Sequence, residues 1–415
     1  MDRPPLWRSL GPGLVWAGTA VGVSHLVQST RAGAGYGLTL LLLVVLANVF
    51  KYPAYEAGPR YAAATGTSLL EGYRRRGQWA LVLFLLLTVA TMFTVIAAVT
   101  FVAAGMASAL ITDALPLWAW SGLLLTTAVG LLVTGGFRFL QRFMTAMMLL
   151  LTASTVASVL LVLPSVEPAN LTLWPPIPPL AKADLLFVAA LVGWMPSALD
   201  TAVWHSQWGL EKQHDEGVAL TREGARFDFQ VGYVGTTVLA TLFVFLGAAL
   251  LRGVEVPASS VAFASLLIDT YVTALGEWSR PVILVAAFST MLSTTVAVTD
   301  GFPRALEGAV QRLQGPEQGH VERTWVYLVA LVGSAVVAQA ICVFFLGQLK
   351  PLVDLATALT GLTAPAFAVL NLVTLRGAEV PDEDRPRGAY LGFHVAGIAF
   401  LTAMAALYLV ARFVL

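Results

Sequence analysis

Hydrophobic positions run along this chain in long unbroken blocks, not in the short alternation of strands or the one-sided stripe of surface helices. A hydrocarbon core about 30 Å thick takes about 20 apolar residues per helix. The blocks count out to about eleven such segments: residues 12–35, 37–64, 78–107, 116–135, 140–163, 183–207, 228–252, 264–300, 324–346, 350–375 and 388–413. The pattern therefore predicts an all-α integral membrane protein of about eleven transmembrane helices. In the eighth block, 254–278 is amphipathic, so the membrane helix proper is expected to begin near Pro281. The first block carries Gly, Ser, His and Gln without a small-residue cleavage site and is expected to remain as a span. Residues 208–227 and 305–323 are the longest soluble stretches and too short for a domain; the Pro-rich 164–182 reads as an external loop.

Two blocks should be broken at membrane depth. The first span contains Gly18-Thr19-Ala20-Val21-Gly22-Val23-Ser24-His25 and continues to Gln28, Ser29, Thr30 and Arg31; the sixth contains Gly193-Trp194-Met195-Pro196-Ser197. Pro196 removes a helix hydrogen bond and clashes with the preceding turn. A gap in lipid is tolerated only where it is buried or lines a cavity. The breaks fall five spans apart, the pattern of two inverted five-helix repeats, each opening with a discontinuous helix, with the solute held between them. The repeats are expected at 1–163 and 183–376, with an additional helix at 388–413.

Composition narrows the function. The chain is 58% hydrophobic and 12% charged, and its 24 Lys and Arg balance 24 Asp and Glu. That composition requires lipid and gives no field for nucleic acid. The single cysteine, Cys342, rules out a disulfide framework or a cysteine-based metal cluster and is expected to pack inside a helix. No nucleophile motif or metalloprotease spacing occurs in the spans, nor any filter sequence, so neither an enzyme nor a channel is expected. No cofactor and no obligate protein partner is implied, only lipid and a small solute or metal ion. Alternate loops are rich in arginine, Arg74, Arg75, Arg76, Arg222, Arg376 and Arg385 among them, while the others hold only Lys182, Arg252, Arg280 and Lys350. In a cell (inner) membrane this places the amino terminus in the cytoplasm and, with an odd number of spans, the carboxy terminus outside.

From Leu10 onward the sequence resembles the NRAMP family of metal-ion transporters. The matching residues are Leu10-Gly11-Pro12, Ala32-Gly33, Tyr36-Gly37, Asn48, Arg60, Thr65-Gly66, Met195-Pro196, the Ser/Thr-rich Ser289-Thr290-Met291-Leu292-Ser293-Thr294, and Pro365. The resemblance implies the LeuT-like architecture and movement of a divalent metal by alternating access. The family's metal-binding Asp-Pro-Gly-Asn aligns with Gly22-Val23-Ser24-His25, and its Met-Pro-His with Met195-Pro196-Ser197. The acidic pair of span three falls on Thr91 and Thr94, and the glutamine of span ten on Thr357. The metal site and the proton route are thus both altered.

A divalent cation in a cavity of low dielectric needs compensating charge. Asp200 is the candidate. With Ser197, Thr201 and Trp204 it lies at helical spacing on one polar face. A metal would then be held by His25, Met195 and Asp200, with carbonyls near Val192 and Gly22; His25, Asp200 and His205 are the candidate proton carriers. Each has a plainer reading as a hydrogen-bonded packing group, Asp200 in protonated form beside Thr357. Alternatives are a carrier of an amine or amino acid, with Gly22-Val23-Ser24 offering backbone donors and Trp194, Trp204 and Asp200 holding a cationic group, and a non-transporting membrane sensor. Glu56–Arg60 and Asp300–Arg304 are spaced for intrahelical pairs. Lys51 either occupies a coupling-cation position or pairs with Glu56. Asp354 should be solvated at the outer start of span ten, and His394 should pack outside the transport core.

Overall fold

A computed structural model describes residues 6–134, 137–166, 181–255, 257, 259–317, 324–346 and 348–415. The expected external loop at 164–182 lies largely outside these. Among the described residues the secondary structure is helical throughout: α1 (Pro12–Ala20), α2 (Thr30–Tyr36), α3 (Leu41–Thr65), α4 (Leu69–Arg76), α5 (Gln78–Leu110), α6 (Leu117–Thr134), α7 (Phe137–Val162), α8 (Lys182–Trp194), α9 (Thr201–Glu216), α10 (Arg222–Leu250), α11 (Ser260–Leu275), α12 (Arg280–Gln314), α13 (Trp325–Phe344), α14 (Leu349–Leu375) and α15 (Gly388–Phe413). Eight segments are long and apolar enough to cross a membrane by themselves, one of them the joined stretch Ser24–Thr65. Reaching eleven further requires dividing that stretch at Gly37, whose φ of 60° turns the chain from α2 into α3, and counting α7 and the interrupted pair α8/α9.

Several boundaries differ from the hydrophobic blocks. The eighth block is two helices, α11 and α12, and α12 begins at Arg280 with the expected Pro281 in its first turn. It runs on through Pro303 to Gln314, α9 extends to Glu216 and α10 begins at Arg222, so 208–216, 222–227 and 305–314 are helical. Hydropathy reports contact with lipid, whereas a helix continues into water wherever its ends are capped.

Helices α5 and α12 pack on each other at the centre, with α14, α13, α11 and α6 around α5. α13 exposes Trp325, Val329, Val332 and Val336 along one stripe, as a lipid-facing surface requires. Small residues set the closest contacts: a Cβ on Gly33 of α2 would lie 2.1 Å from the Val244 carbonyl oxygen of α10, and one on Gly247 2.4 Å from that of Thr30. Gly33→Val is accordingly expected to cost about 3 kcal/mol or more, read as a large fall in melting temperature in detergent. Gly35→Ala, with nothing within 4 Å of the added methyl, should leave it unchanged; equal melting of the two variants would refute this packing.

Candidate functional site at the two helix breaks

α1 stops at Ala20, and Val21 (ψ 80°) turns the chain out of the helix. The Gly22 carbonyl accepts from the amides of His25 at 3.1 Å and Leu26 at 2.9 Å, so winding resumes at once as a wide π-helical turn, Ser24–Ser29. Of the three amides expected to offer donors to an organic carboxylate, that of Gly22 is taken by the Ala20 carbonyl at 2.9 Å. A Cβ on Gly22 would lie 2.8 Å from Thr294 Cγ2 of α12. Thr294 donates to the Gly18 carbonyl at 3.1 Å and fills the space that a carboxylate at position 22 would take.

The second break runs from Met195, in extended conformation, to Asp200, the residue that opens α9. With the turn undone and Pro196 lacking an amide proton, carbonyls of this stretch lose helical partners. Other elements supply them. Lys51 Nζ of α3 donates to the Gly193 carbonyl at 2.7 Å, Tyr55 to that of Ser197, and Ser24 of the first break to that of Pro196 at 3.0 Å. The two breaks thus touch. Beside their contact Ser24, Trp194, Ser197, Thr201, Trp204 and Thr294 line a cavity with room for about one water-sized sphere.

The expected site residues do not gather there as one cluster. Ser197 and Trp204 line the cavity. His25 Nε2 sits 3.0 Å from the Thr236 carbonyl of α10, so it carries the proton, and Nδ1 sits 2.7 Å from Ser24 Oγ; in this arrangement both ring nitrogens face protein groups. Met195 packs in an apolar cluster with Ala32, Val44, Ala240 and Val244, facing α10 rather than the cavity. Val192 lines a separate gap between α8, α14 and α15. Thr357 accepts from Gln28 at 3.4 Å and donates within its own helix to Val353 at 2.9 Å. Asp200 is 1% exposed, and no side chain bonds either carboxylate oxygen; the amides of Asp200 itself and of Thr201 are the groups that reach them, and the carboxylate lies within electrostatic reach of Tyr55 and Tyr73. Among the described residues no three His, Cys, Asp or Glu side chains converge as a metal site.

A polar network stands at either end of the broken helices. At one end Arg31 of α2 pairs with Asp354 of α14 at 2.7 Å, bonds Gln28 at 2.8 Å and lies over the Phe187 ring. Asp354, expected simply to be solvated, is 38% exposed but paired. At the end where α1 begins, the Asp228 carboxylate of α10 accepts from the amides of Gly11 at 2.7 Å and Gly13 at 2.6 Å. His205 Nε2 stands 3.4 Å from the same carboxylate, and Lys212 donates to the carbonyls of Arg8 and Leu10. Sequence reasoning misses the capping role of Asp228; its one signal is an acid at the very start of an apolar span. The intrahelical pairs are present, Glu56–Arg60 at 3.3 Å and Asp300–Arg304 at 3.0 Å. Tyr390 joins the first, and Glu211 and Tyr327 join the second. Lys51 does not pair with Glu56.

The Arg31–Asp354 pair gives a direct expectation. Losing a part-exposed pair is worth about 1 kcal/mol, so Asp354→Asn should speed labelling of Thr357→Cys by an impermeant maleimide about five-fold, in a Cys342→Ala background. An unchanged rate would show that this pair does not limit that access.

A family model described as natural resistance-associated macrophage protein-like matches residues 13–411. The chain belongs to this family. An uncharacterised protein of Pasteurella multocida is 32% identical over 410 residues, covering 97% of this chain and 92% of that protein. Among solved structures, the fold matches a mutant form of a manganese transporter of Eremococcus coleocola with a TM-score of 0.74 at 15% identity, covering 99% of this chain and 88% of that one. It also matches a nucleobase-cation-symport-1 family transporter in a closed conformation, with a TM-score of 0.60 at 17% identity, covering 97% and 90%. The NRAMP-like chain is thus a multi-pass membrane protein with the fold of secondary transporters.

Proposed function

We propose that this protein carries a divalent metal cation, Mn²⁺ being the first to test, by alternating access at the span-six break, with Asp200 as the charge-compensating ligand. One observation carries the site: a carboxylate buried to 1% with no side-chain partner, at a broken helix, in a chain of this family. An unpaired charge at such a place is costly and marks a site by default. Carbonyls of the break, now held by Lys51, Tyr55 and Ser24, are the further oxygen ligands, a set suited to a hard cation. His25 and Met195 hold the break in shape in this state. On this reading an NRAMP-type proton route through span three is altered or absent, Thr91 and Thr94 standing where the resemblance places its acids, with their hydroxyls bonded to carbonyls of their own helix.

The motion proposed is that of two inverted repeats, 1–163 and 183–376, with α15 outside them. In support, packing partners exchange between the halves: α10 lies on α1 and α2 as α3 lies on α9, α5 packs on α14 as α12 packs on α7, and α8 meets α14 as α1 meets α7. The arginine-rich loops are placed in the cytoplasm, as their excess of basic residues supports, which puts the Asp228 closure inside and the Arg31 closure outside. The reading is tested by thermal shift. Mn²⁺ at about 100 times its Kd should stabilise the purified protein by about 2.7 kcal/mol; stabilisation by amines or amino acids alone would contradict it.

A further inference from the structure

Two cavities share the same pair of helices as walls. In α9, Ser197, Thr201 and Trp204 line the small cavity at the breaks, and Gln207, Leu210 and Glu211, next along that face, line a larger one of about 340 Å³. The larger cavity opens at the end of α9, where His214 is 58% exposed. In α12 the order is the same: Thr294, Val298 and Phe302 line the first, Arg304, Gly308 and Gln311 the second. Spacings of three or four residues along most of each series keep it on one helix face. A single α9–α12 seam therefore runs from the breaks to this inner vestibule. Trp204 and Phe302 end the first cavity, their rings edge to face at 4.8 Å. Gln207 begins the second three residues past Trp204, a rise of about 4.5 Å. The wall between the two is one aromatic layer thick.

Trp204 is held in that wall by packing alone. A Cβ on Gly301 of α12 would lie 2.4 Å from its ring, so the glycine gives the ring its seat. The buried indole N–H has no acceptor among the described residues, whereas that of Trp16 donates to Thr201 at 2.9 Å. A buried donor left unpaired is costly, and turning this ring breaks no hydrogen bond. Beyond it the vestibule sets three carboxylates, Glu211, Glu307 and Glu317, against two guanidinium groups, Arg304 and Arg312. Its volume has room for about ten waters. A wet chamber of that sign favours a cation leaving a dehydrated site. We propose that Trp204 is the inner gate of the cation path: the ring turns off Gly301, and the cation passes down the α9–α12 seam into the vestibule, on a route apart from the α1 start that Asp228 holds. The inference rests on the reading of the span-six break as a metal site.

The test is the rate at which a cysteine in the break cavity reacts with a small cationic methanethiosulfonate, in the purified full chain carrying Ser197→Cys and Cys342→Ala. Trp204→Ala should speed the reaction about ten-fold or more, and filling the vestibule with Gly308→Phe should bring the rate back down. Trp208→Ala is the control for loosening alone. That residue is also fully buried, packs edge-on against Trp204 at 6.0 Å and stands in neither lining, so its loss should lower the melting temperature without speeding the reaction. Equal speeding by Trp208→Ala, or a Trp204→Ala rate that Gly308→Phe leaves unchanged, would overturn the inference. If Trp204→Ala does not fold, Trp204→Leu takes its place and should give a smaller rise; an unchanged rate overturns the gate. Mn²⁺ separates this inference from the metal reading, since bound metal should shield the cysteine. Shielding by Mn²⁺ without any rise in Trp204→Ala overturns the gate and leaves the metal reading standing. A rise in Trp204→Ala that Mn²⁺ does not slow contradicts the metal reading and leaves the gate standing for another solute.

Discussion

Replacing Asp200 by asparagine is expected to abolish metal binding at accessible concentrations while leaving the protein folded. The substitution keeps the shape and removes the one buried carboxylate of the break that has no side-chain partner. Leaving a dehydrated cation without its counter-charge costs about 3–5 kcal/mol, or two to four decades in Kd. The apo protein should melt no lower than wild type, because no side chain bonds the carboxylate and the Asn oxygen can still accept from the nearby Asp200 and Thr201 amides. Binding within a factor of about three of wild type would take Asp200 out of the site.

Asp228→Ala should act in the opposite sense, on the frame and not on the ligand. Its carboxylate holds the Gly11 and Gly13 amides at 2.7 and 2.6 Å, and Gly11-Pro12-Gly13 offers it those two donors because Pro12 has none. Charge-assisted bonds of this kind are worth about 1.5–3 kcal/mol each, so the variant should lose about 3 kcal/mol or more. The start of α1 should also loosen from α10, which a faster reaction of Ser9→Cys with maleimide would report. Asp228→Asn, which keeps one acceptor, should fall between the two. Equal melting of all three proteins would show that the cap does not hold the inner end.

Much of this is legible in the sequence because lipid imposes a strong rule: apolar length marks a span, and a Gly or Pro-bearing polar patch inside it marks a break. Gly22 and Pro196 both sit where the helices stop. The i, i+4 pairs are legible for the same local reason. What is not legible is direction. The π turn at Ser24–Ser29 adds a residue to one turn of the first span, rotating His25 onto Thr236 and away from the gap. The Lys51–Gly193 contact joins residues 142 apart, and no local pattern announces it. The carboxylate missing at Gly22 is legible as an absence; only packing shows that Thr294 has taken its space.

The most direct measurement is Mn²⁺ influx into liposomes holding the purified protein, followed by a metal-sensitive dye in the lumen. The expected result is saturable uptake in wild type and none in Asp200→Asn liposomes. Empty-vesicle rates in wild type, or equal uptake by the two proteins, would contradict a divalent-metal carrier built on Asp200.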